Sequence, residues 1–106
     1  MPLRSAFAVA LTAGAAASPQ FSMLPARAFP GSHTVVMVKA RVSCTLSIRY
    51  RNGRVQAFGT AYPRRGLDGW NWGVPADAAT GPAAVLVVCS SGGRATRTVM
   101  IVGWRS

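Results

Sequence analysis

The alternation of apolar and polar residues from Val36 to Tyr50 constrains the fold of this chain more than any other feature. Every even position in the segment is apolar, and every odd position from Lys39 to Arg49 is polar. A period of two places successive side chains on opposite faces of a β-strand, so one face is buried and the other is solvated. The segment is longer than a usual strand, and we therefore expect a break near residues 39–41 that divides it into two strands.

Turn-forming residues divide the rest of the chain into further short strands. Asn52-Gly53, which directly follows the alternating segment, is a strong signal for a tight hairpin. The further predicted strands are, in chain order, residues 55–60, 70–74, 83–90 and 94–102. About six short strands with regularly spaced turns predict an all-β, antiparallel sandwich.

Residues 1–28 carry the parts of a secretory signal peptide. A basic start at Arg4 precedes an apolar run over residues 6–17, which is too short to span a bilayer. Sites of small residues, typical of signal cleavage, end at Ala17 and at Ala28. We expect cleavage after Ala28, with cleavage after Ala17 as the alternative and a retained apolar helix as the competing interpretation.

The mature protein is expected to be one small domain. Cleavage after Ala28 leaves residues 29–33 as a flexible lead-in and residues 34–104 as a single β-sandwich. Such a protein would be secreted, periplasmic or exposed at the cell envelope, and it would not be transmembrane once the signal is removed.

Cys44 and Cys89 are the only cysteines, and an even pair in an exported chain predicts a disulfide. Neither belongs to a C-x-x-C pair, and no histidine lies at metal-ligand spacing from either, so no metal site is expected. Closing a loop of about 45 residues would stabilise the fold by about 4 kcal/mol through the entropy of the unfolded chain.

The chain is strongly basic and poor in acid–base groups. Twelve Lys and Arg residues oppose two Asp residues and no Glu, which gives a net charge of +10. The acid–base inventory is limited to Asp68, Asp77 and the single histidine, His33, and we expect Asp68 to lie in a turn beside Gly69. Because catalytic and metal sites need several such groups together, the sequence predicts neither an enzyme nor a cofactor.

The basic residues are the best candidates for a binding surface. We expect the odd-numbered Lys39, Arg41, Arg49 and Arg51 to share one outward face, which Arg54, Arg64 and Arg65 could extend. Guanidinium groups bind phosphate and carboxylate oxygens in a bidentate manner, so such a face would suit anionic polymers or surfaces. The competing interpretation is an ordinary solvated face of a basic protein.

Aromatic residues offer a second candidate surface. Trp70 and Trp72 point to the same side of one predicted strand and are expected in the core with Phe58. The alternative is a platform on which sugars or bases stack, although no specific nucleic-acid motif is present. Trp104, beyond the last predicted strand, is expected to be more exposed.

Four segments together resemble small secreted bacterial immunoglobulin-like domains. They are S-C-T-L-S-I-R-Y-R-N-G (43–53), G-W-N-W-G-V (69–74), V-L-V-V-C-S-S-G-G (85–93) and T-V-M-I-V (98–102). Phe58 stands where antibody-type domains carry a tryptophan, and Val87 replaces the tyrosine of the tyrosine corner. The resemblance implies an immunoglobulin-like antiparallel sandwich of about six to seven strands, with Cys44–Cys89 as a B–F-type bridge between the sheets.

These observations predict a secreted or envelope-exposed, non-catalytic binding module whose basic face engages anionic polymers. One alternative is a structural domain that pairs with another envelope protein through a sheet face or edge, and whose binding survives high salt. A further alternative is an inhibitor that uses the predicted loop over residues 61–68.

Overall fold

The computed structural model describes residues 18–103, and within this range all regular secondary structure is β. The strands are β1 (Gln20–Met23), β2 (Arg27–Ala28), β3 (His33–Lys39), β4 (Cys44–Arg49), β5 (Val55–Ala61), β6 (Leu67–Gly73), β7 (Gly81–Cys89) and β8 (Arg94–Ile101). The described part of the chain therefore contains no helix that could cross a membrane. The predicted apolar run up to Ala17 and the position of Trp104 lie outside the described residues.

The strands form two sheets, which confirms the predicted β-sandwich. The small sheet has the order β1-β3-β6, and the large sheet has the order β2-β8-β7-β4-β5. Neighbouring strands are antiparallel, apart from β2 and β8, which run parallel. The predicted break falls between β3 and β4, and it carries the chain from the small sheet to the large one.

The core lies between the sheets and consists mainly of the even-numbered apolar residues of the alternating segment and their counterparts on the other strands. In β3, Val36 and Val38 are fully buried whereas Val35 is exposed, as a period of two requires. The remaining buried apolar residues are Ala28, Cys44, Leu46, Ile48, Tyr50, Trp70, Trp72, Val74, Ala83, Val85, Val87, Cys89, Val99 and Ile101.

Strands β1 and β2 are elements that the sequence analysis did not predict. β1 pairs with β3, and β2 pairs with β8, in segments that had been assigned to the signal peptide. Phe21 packs against the core, and Ala28 is buried within it. Residues 29–33 are expected as a flexible lead-in, but residues 29–32 form a hydrogen-bonded turn and His33 begins β3. The Gly31 amide donates to the Val74 carbonyl over 2.9 Å, which ties this turn to the end of β6. The cleavage position itself stays a prediction.

The disulfide between Cys44 and Cys89 is present, but its predicted placement between the sheets is wrong. Cys44 on β4 and Cys89 on β7 are paired directly across two neighbouring strands of the large sheet. The error follows from the immunoglobulin-like resemblance, which implies a bridge between the sheets, whereas β4 and β7 are neighbours in the large sheet. The bridge therefore joins two strands within one sheet, unlike the inter-sheet bridge of antibody domains.

The expectation that Asp68 lies in a turn is also wrong. β6 begins at Leu67, so Asp68 occupies an inward position of this strand opposite Val38. Its side chain is 0% exposed, and neither carboxyl oxygen has a hydrogen-bond partner among the described residues. Burial raises the pKa of this carboxyl, because the core disfavours the charged form.

A chain of side-chain hydrogen bonds links the two sheets beside the β4–β5 turn. The Trp72 indole donates to the Tyr50 hydroxyl over 3.0 Å, and this hydroxyl donates to the Gln56 side chain over 2.6 Å. The Gln56 amide then donates to the Gly73 carbonyl over 3.1 Å. Burial raises the pKa of Tyr50 in spite of the hydrogen bond from Trp72, so the hydroxyl stays neutral and can act as both donor and acceptor.

Candidate functional site

The structure divides the candidate cations between the two ends of the sandwich. Four lie at one end, where β3 ends and β6 begins: Lys39, Arg41, Arg64 and Arg65. The others lie at the end of β4 or in the turn that follows it: Arg49, Arg51 and Arg54.

The expectation of one shared outward face for Lys39, Arg41, Arg49 and Arg51 is therefore wrong. Lys39 belongs to the small sheet and Arg49 to the large sheet, while Arg41 and Arg51 lie in connections. Residues of the same parity share a face only within one strand. Once the break transfers the chain to the opposite sheet, the outward positions of β3 and β4 lie on opposite sides of the sandwich.

A cavity of about 790 Å³, which we call the cationic groove, opens at the end that carries Lys39. Its cationic side chains are Lys39, Arg41 and Arg65. The other residues around it are Ser18, Pro19, Gln20, Ser22, Ala40, Val42, Gly66, Leu67, Cys89 and Ser91. None of these described lining residues is acidic, so the groove holds no internal counter-charge.

Strand pairing and backbone hydrogen bonds bring the groove together from distant parts of the sequence. Lys39 pairs with Gln20 of β1 on one side and with Leu67 of β6 on the other. The Ala40 amide donates to the Gly66 carbonyl over 3.0 Å, which ties the β3–β4 connection to the β5–β6 turn. The end of β7 is held nearby, because the Cys44–Cys89 bridge joins it to β4.

Arg65 occupies a left-handed backbone conformation at the tip of the β5–β6 turn. Arg64 and Leu67 exchange backbone hydrogen bonds of 2.8 and 3.1 Å around the turn, whose central residues Arg65 and Gly66 have φ angles of 55° and 78°. Positive φ at both central positions defines the type I′ hairpin turn. Arg65 is the one non-glycine residue with positive φ in the described chain, and this conformation costs a side-chain-bearing residue about 1–2 kcal/mol.

Two of the cations at the opposite end, Arg51 and Arg54, already have intramolecular contacts. Arg54 forms an ion pair of 2.9 Å with Asp77, and this contact lowers the pKa of the Asp77 carboxyl. The Arg51 side chain lies against Gly81, where a Cβ atom would approach Arg51 Cδ to 2.7 Å. A smaller cavity of about 150 Å³ at this end includes both Arg54 and Asp77 in its wall, so its charge is partly balanced.

The aromatic candidates do not form a stacking platform. Trp70 and Trp72 are buried, and the Trp70 indole donates to the Gly59 carbonyl over 2.8 Å. Phe58 is half-buried and packs against the core. The aromatic side chain that is exposed near the groove end is Tyr62, at 73%, in a β5–β6 connection shorter than the loop expected of an inhibitor.

Four residues that line the groove come from the N-terminal segment and were not among the predicted candidates. Ser18, Pro19, Gln20 and Ser22 form one wall of the groove, although they had been assigned to the signal peptide. The change from an alanine-rich run to Ser18-Pro19-Gln20 after Ala17 is the signal that could have separated them from it. Arg97, which was not a candidate, lies over the Phe21 ring at 5.7 Å from its centroid and fixes β1 to the large sheet.

Few His, Cys, Asp and Glu side chains are present in the described part of the chain. No group of three or more His, Cys, Asp or Glu residues within positions 18–103 could hold a metal ion. The groove offers cationic donors, hydroxyl groups and apolar side chains, which together can hold an anionic ligand without reacting with it.

Comparison with known proteins gives the class of the fold. No protein-family model matches the chain, and no curated protein matches it either. The solved structures that are similar include trypsin-activated alpha-2-macroglobulin from Escherichia coli, with 17% identity and a TM-score of 0.64 over 79% of this chain. The native and the elastase-activated conformations of the same protein give 20% and 18% identity, with TM-scores of 0.64 and 0.62, over the same share of this chain.

These similarities show the fold alone. The chain spans only 6–8% of the length of the proteins it matches. Together with the two-sheet topology, they define the class as a small immunoglobulin-like β-sandwich with one disulfide. The disulfide fits a location outside the cytoplasm, where oxidising conditions allow such bonds to persist.

Proposed function

We propose that this domain is a non-catalytic module that binds anionic polymers or surfaces through the cationic groove. The observation that carries the proposal is the convergence of Lys39, Arg41 and Arg65 around one cavity of about 790 Å³ that has no acidic lining residue. The likeness to a small part of alpha-2-macroglobulin supports a role as a module rather than as a complete enzyme.

The electrostatics of a concave site strengthen this interpretation. Cations grouped in a cleft with low-dielectric walls focus their field and raise the local concentration of anions more than the same charges spread over a convex surface. Two of the groove cations are arginines, whose planar guanidinium groups match the oxygens of phosphate and carboxylate. The left-handed conformation of Arg65 is the kind of local strain that is often retained at binding sites.

The proposed setting is the cell exterior, the periplasm or the envelope surface. The disulfide and the predicted signal peptide support export, and anionic polymers with phosphate or carboxylate groups are common ligands in that setting. A basic net charge of +10 would add a general attraction to such polymers, and the experiment must therefore separate the groove from the overall charge.

Retention on immobilised heparin, used as a model polyanion, tests the proposal with variants of equal charge. The groove variant K39Q/R41Q/R65Q and the control variant R27Q/R49Q/R51Q lose the same number of cations from the oxidised full-length chain. We expect the groove variant to elute at clearly lower salt than the wild type, and the control to elute close to it. Equal shifts for the two variants would contradict the proposal, because binding would then follow net charge alone.

A second candidate is the pairing of the domain with another protein through the outer face of the small sheet. Met23 and Val35 are 51% and 37% exposed there, and Met37 lies over Gly69, so the face presents apolar side chains to solvent. A protein bound to this face would stay bound at high salt, whereas a ligand of the groove would be released. The uncharged Val35→Gln variant would weaken such a complex and would leave unchanged the net charge that contributes to heparin retention.

A further inference from the structure

We propose that the ligand of the cationic groove is a single-chain anionic lipid, with a phosphate head group bound by the cations and an alkyl chain held by the apolar wall. This inference rests on the proposed function, because it specifies which anionic molecule the same groove accepts.

The groove has apolar lining residues as well as its cations. Ala40, Val42 and Leu67 are half-buried and line the cavity. Ala40 and Val42 also pack against the hydrophobic core between the sheets, so this wall is an extension of the core that opens to solvent. Covering such surface with an alkyl chain is favourable in proportion to the apolar area removed from water.

The cations alternate along the chain with these apolar residues. Lys39 and Arg41 flank Ala40 in the β3–β4 connection, and Arg65 precedes Leu67 by two positions in the β5–β6 turn. Charged and apolar groups therefore meet within one cavity, whose volume of about 790 Å³ falls in the usual range for small-molecule sites, roughly 300–1,000 Å³. A site of this composition matches an amphiphile, which presents a charged head and an apolar chain together.

A purely hydrophilic ligand would complement only part of the groove. An inorganic phosphate ion or a hydrophilic polyanion could pair with Lys39, Arg41 and Arg65, but it would leave Val42 and Leu67 in contact with water. An uncharged amphiphile would cover the apolar wall but leave the cations without a partner. The combination of head and chain is therefore expected to bind better than either part.

Calorimetric titration of the oxidised full-length chain with alkyl phosphates, below their micellar concentrations, tests the inference. Decyl phosphate is expected to bind about 100-fold more tightly than hexyl phosphate, because each methylene buried improves affinity about three- to fourfold. Inorganic phosphate and decyl maltoside, which each present one half of the ligand, are expected to bind more weakly than decyl phosphate.

Variants locate the effect in the groove. Val42→Thr keeps the volume of the side chain but adds a hydroxyl to the apolar wall. Leu67→Thr adds a hydroxyl at a second site and also shortens the side chain. Both are expected to reduce the advantage of decyl over hexyl phosphate several-fold and to lower heparin retention far less than K39Q/R41Q/R65Q does. Val35→Thr on the outer face of the small sheet is the matched control and should change neither measurement.

The outcomes separate this inference from the proposed function. If decyl phosphate binds no more tightly than inorganic phosphate, or if neither wall variant reduces its affinity, the lipid inference is overturned. The proposed function still stands in that case, provided that K39Q/R41Q/R65Q lowers heparin retention more than its control variant. If the groove variant and the control variant behave alike toward both heparin and decyl phosphate, both proposals are overturned.

Discussion

At the scale of single residues, Asp68 is the polar group that burial affects most. Its carboxyl lies in the core without a hydrogen bond from any described residue, and burial raises its pKa. The pKa of Asp68 is higher in the folded than in the unfolded protein. The protonated carboxyl therefore contributes fully to the free energy of unfolding at pH values below the unfolded pKa. This contribution is lost as the pH rises through the folded pKa, so this residue destabilises the protein near neutral pH.

The Asp68→Asn variant tests this pH dependence. We expect it to be more stable than the wild type at pH 7 by about 1 kcal/mol or more, since it removes a charge that the core does not stabilise. The difference should shrink toward pH 3, where Asp68 is protonated in both states. Urea unfolding across this pH range measures the effect.

Asp77→Asn is the matched control, because the Asp77 carboxyl is exposed and its pKa is lowered by Arg54. A carboxyl whose pKa is lowered by folding stabilises the folded protein at pH values above its unfolded pKa. This stabilisation is lost as the pH falls through the folded pKa. The account of Asp68 would be wrong if Asp68→Asn and the wild type had the same stability at pH 7 and at pH 3.

The backbone of Arg65 gives a second prediction at this scale. Asn tolerates a left-handed conformation better than Arg, so Arg65→Asn is expected to stabilise the fold by up to about 1 kcal/mol. The same change should lower heparin retention, because it removes a groove cation. Thermal unfolding measures the stability, and the salt concentration at elution measures the heparin retention. Arg64→Asn, at the neighbouring residue of the turn, is the control. If Arg65→Asn were less stable than the wild type, the backbone at Arg65 would not be strained as we infer.

At the scale of elements, the strands with regular alternation could be predicted and the N-terminal strands could not. β3 and β4 follow from the pattern between Val36 and Tyr50, and the hairpin between β4 and β5 follows from Asn52-Gly53. β1 and β2 are short, show no alternation and come directly after an alanine-rich run that resembles a leader. Missing them made the predicted strand count too low. The disulfide was placed between the sheets for a different reason, because strand patterns do not show that β4 and β7 are neighbours in one sheet.

The pairing of β1 and β2 leads to a prediction about processing. Cleavage after Ala28 would remove both strands, leaving β3 without its β1 partner, β8 without its β2 partner and the groove without one wall. We therefore expect export of the full-length chain to yield a mature protein that begins at Ser18. Intact-mass measurement of the exported protein distinguishes the sites, and Ala17→Lys should block processing. A mature protein that begins at Phe29 would contradict this prediction.

At the scale of the whole molecule, the basic charge is arranged by the two-sheet topology. The break between β3 and β4 sends Lys39 and Arg49 to different sheets, and the ion pair between Arg54 and Asp77 balances part of the charge at the far end. The alternation of apolar and polar residues could not predict how the cations are grouped. It indicates which face of a strand a side chain lies on, but it does not indicate which of the two sheets the strand joins. Arg65 joins Lys39 and Arg41 only through pairing between residues distant in the sequence.

The salt dependence of the affinity for a heparin oligosaccharide of defined length shows whether the groove cations bind a polyanion together. Each cation that pairs with the polyanion adds about 0.7–0.9 to the slope of log K against log salt concentration, by analogy with nucleic acids. We predict that K39Q/R41Q/R65Q reduces this slope by about 2, and that R27Q/R49Q/R51Q reduces it by less than about 1. Equal reductions in the two variants would show that the groove is no more than part of a generally basic surface.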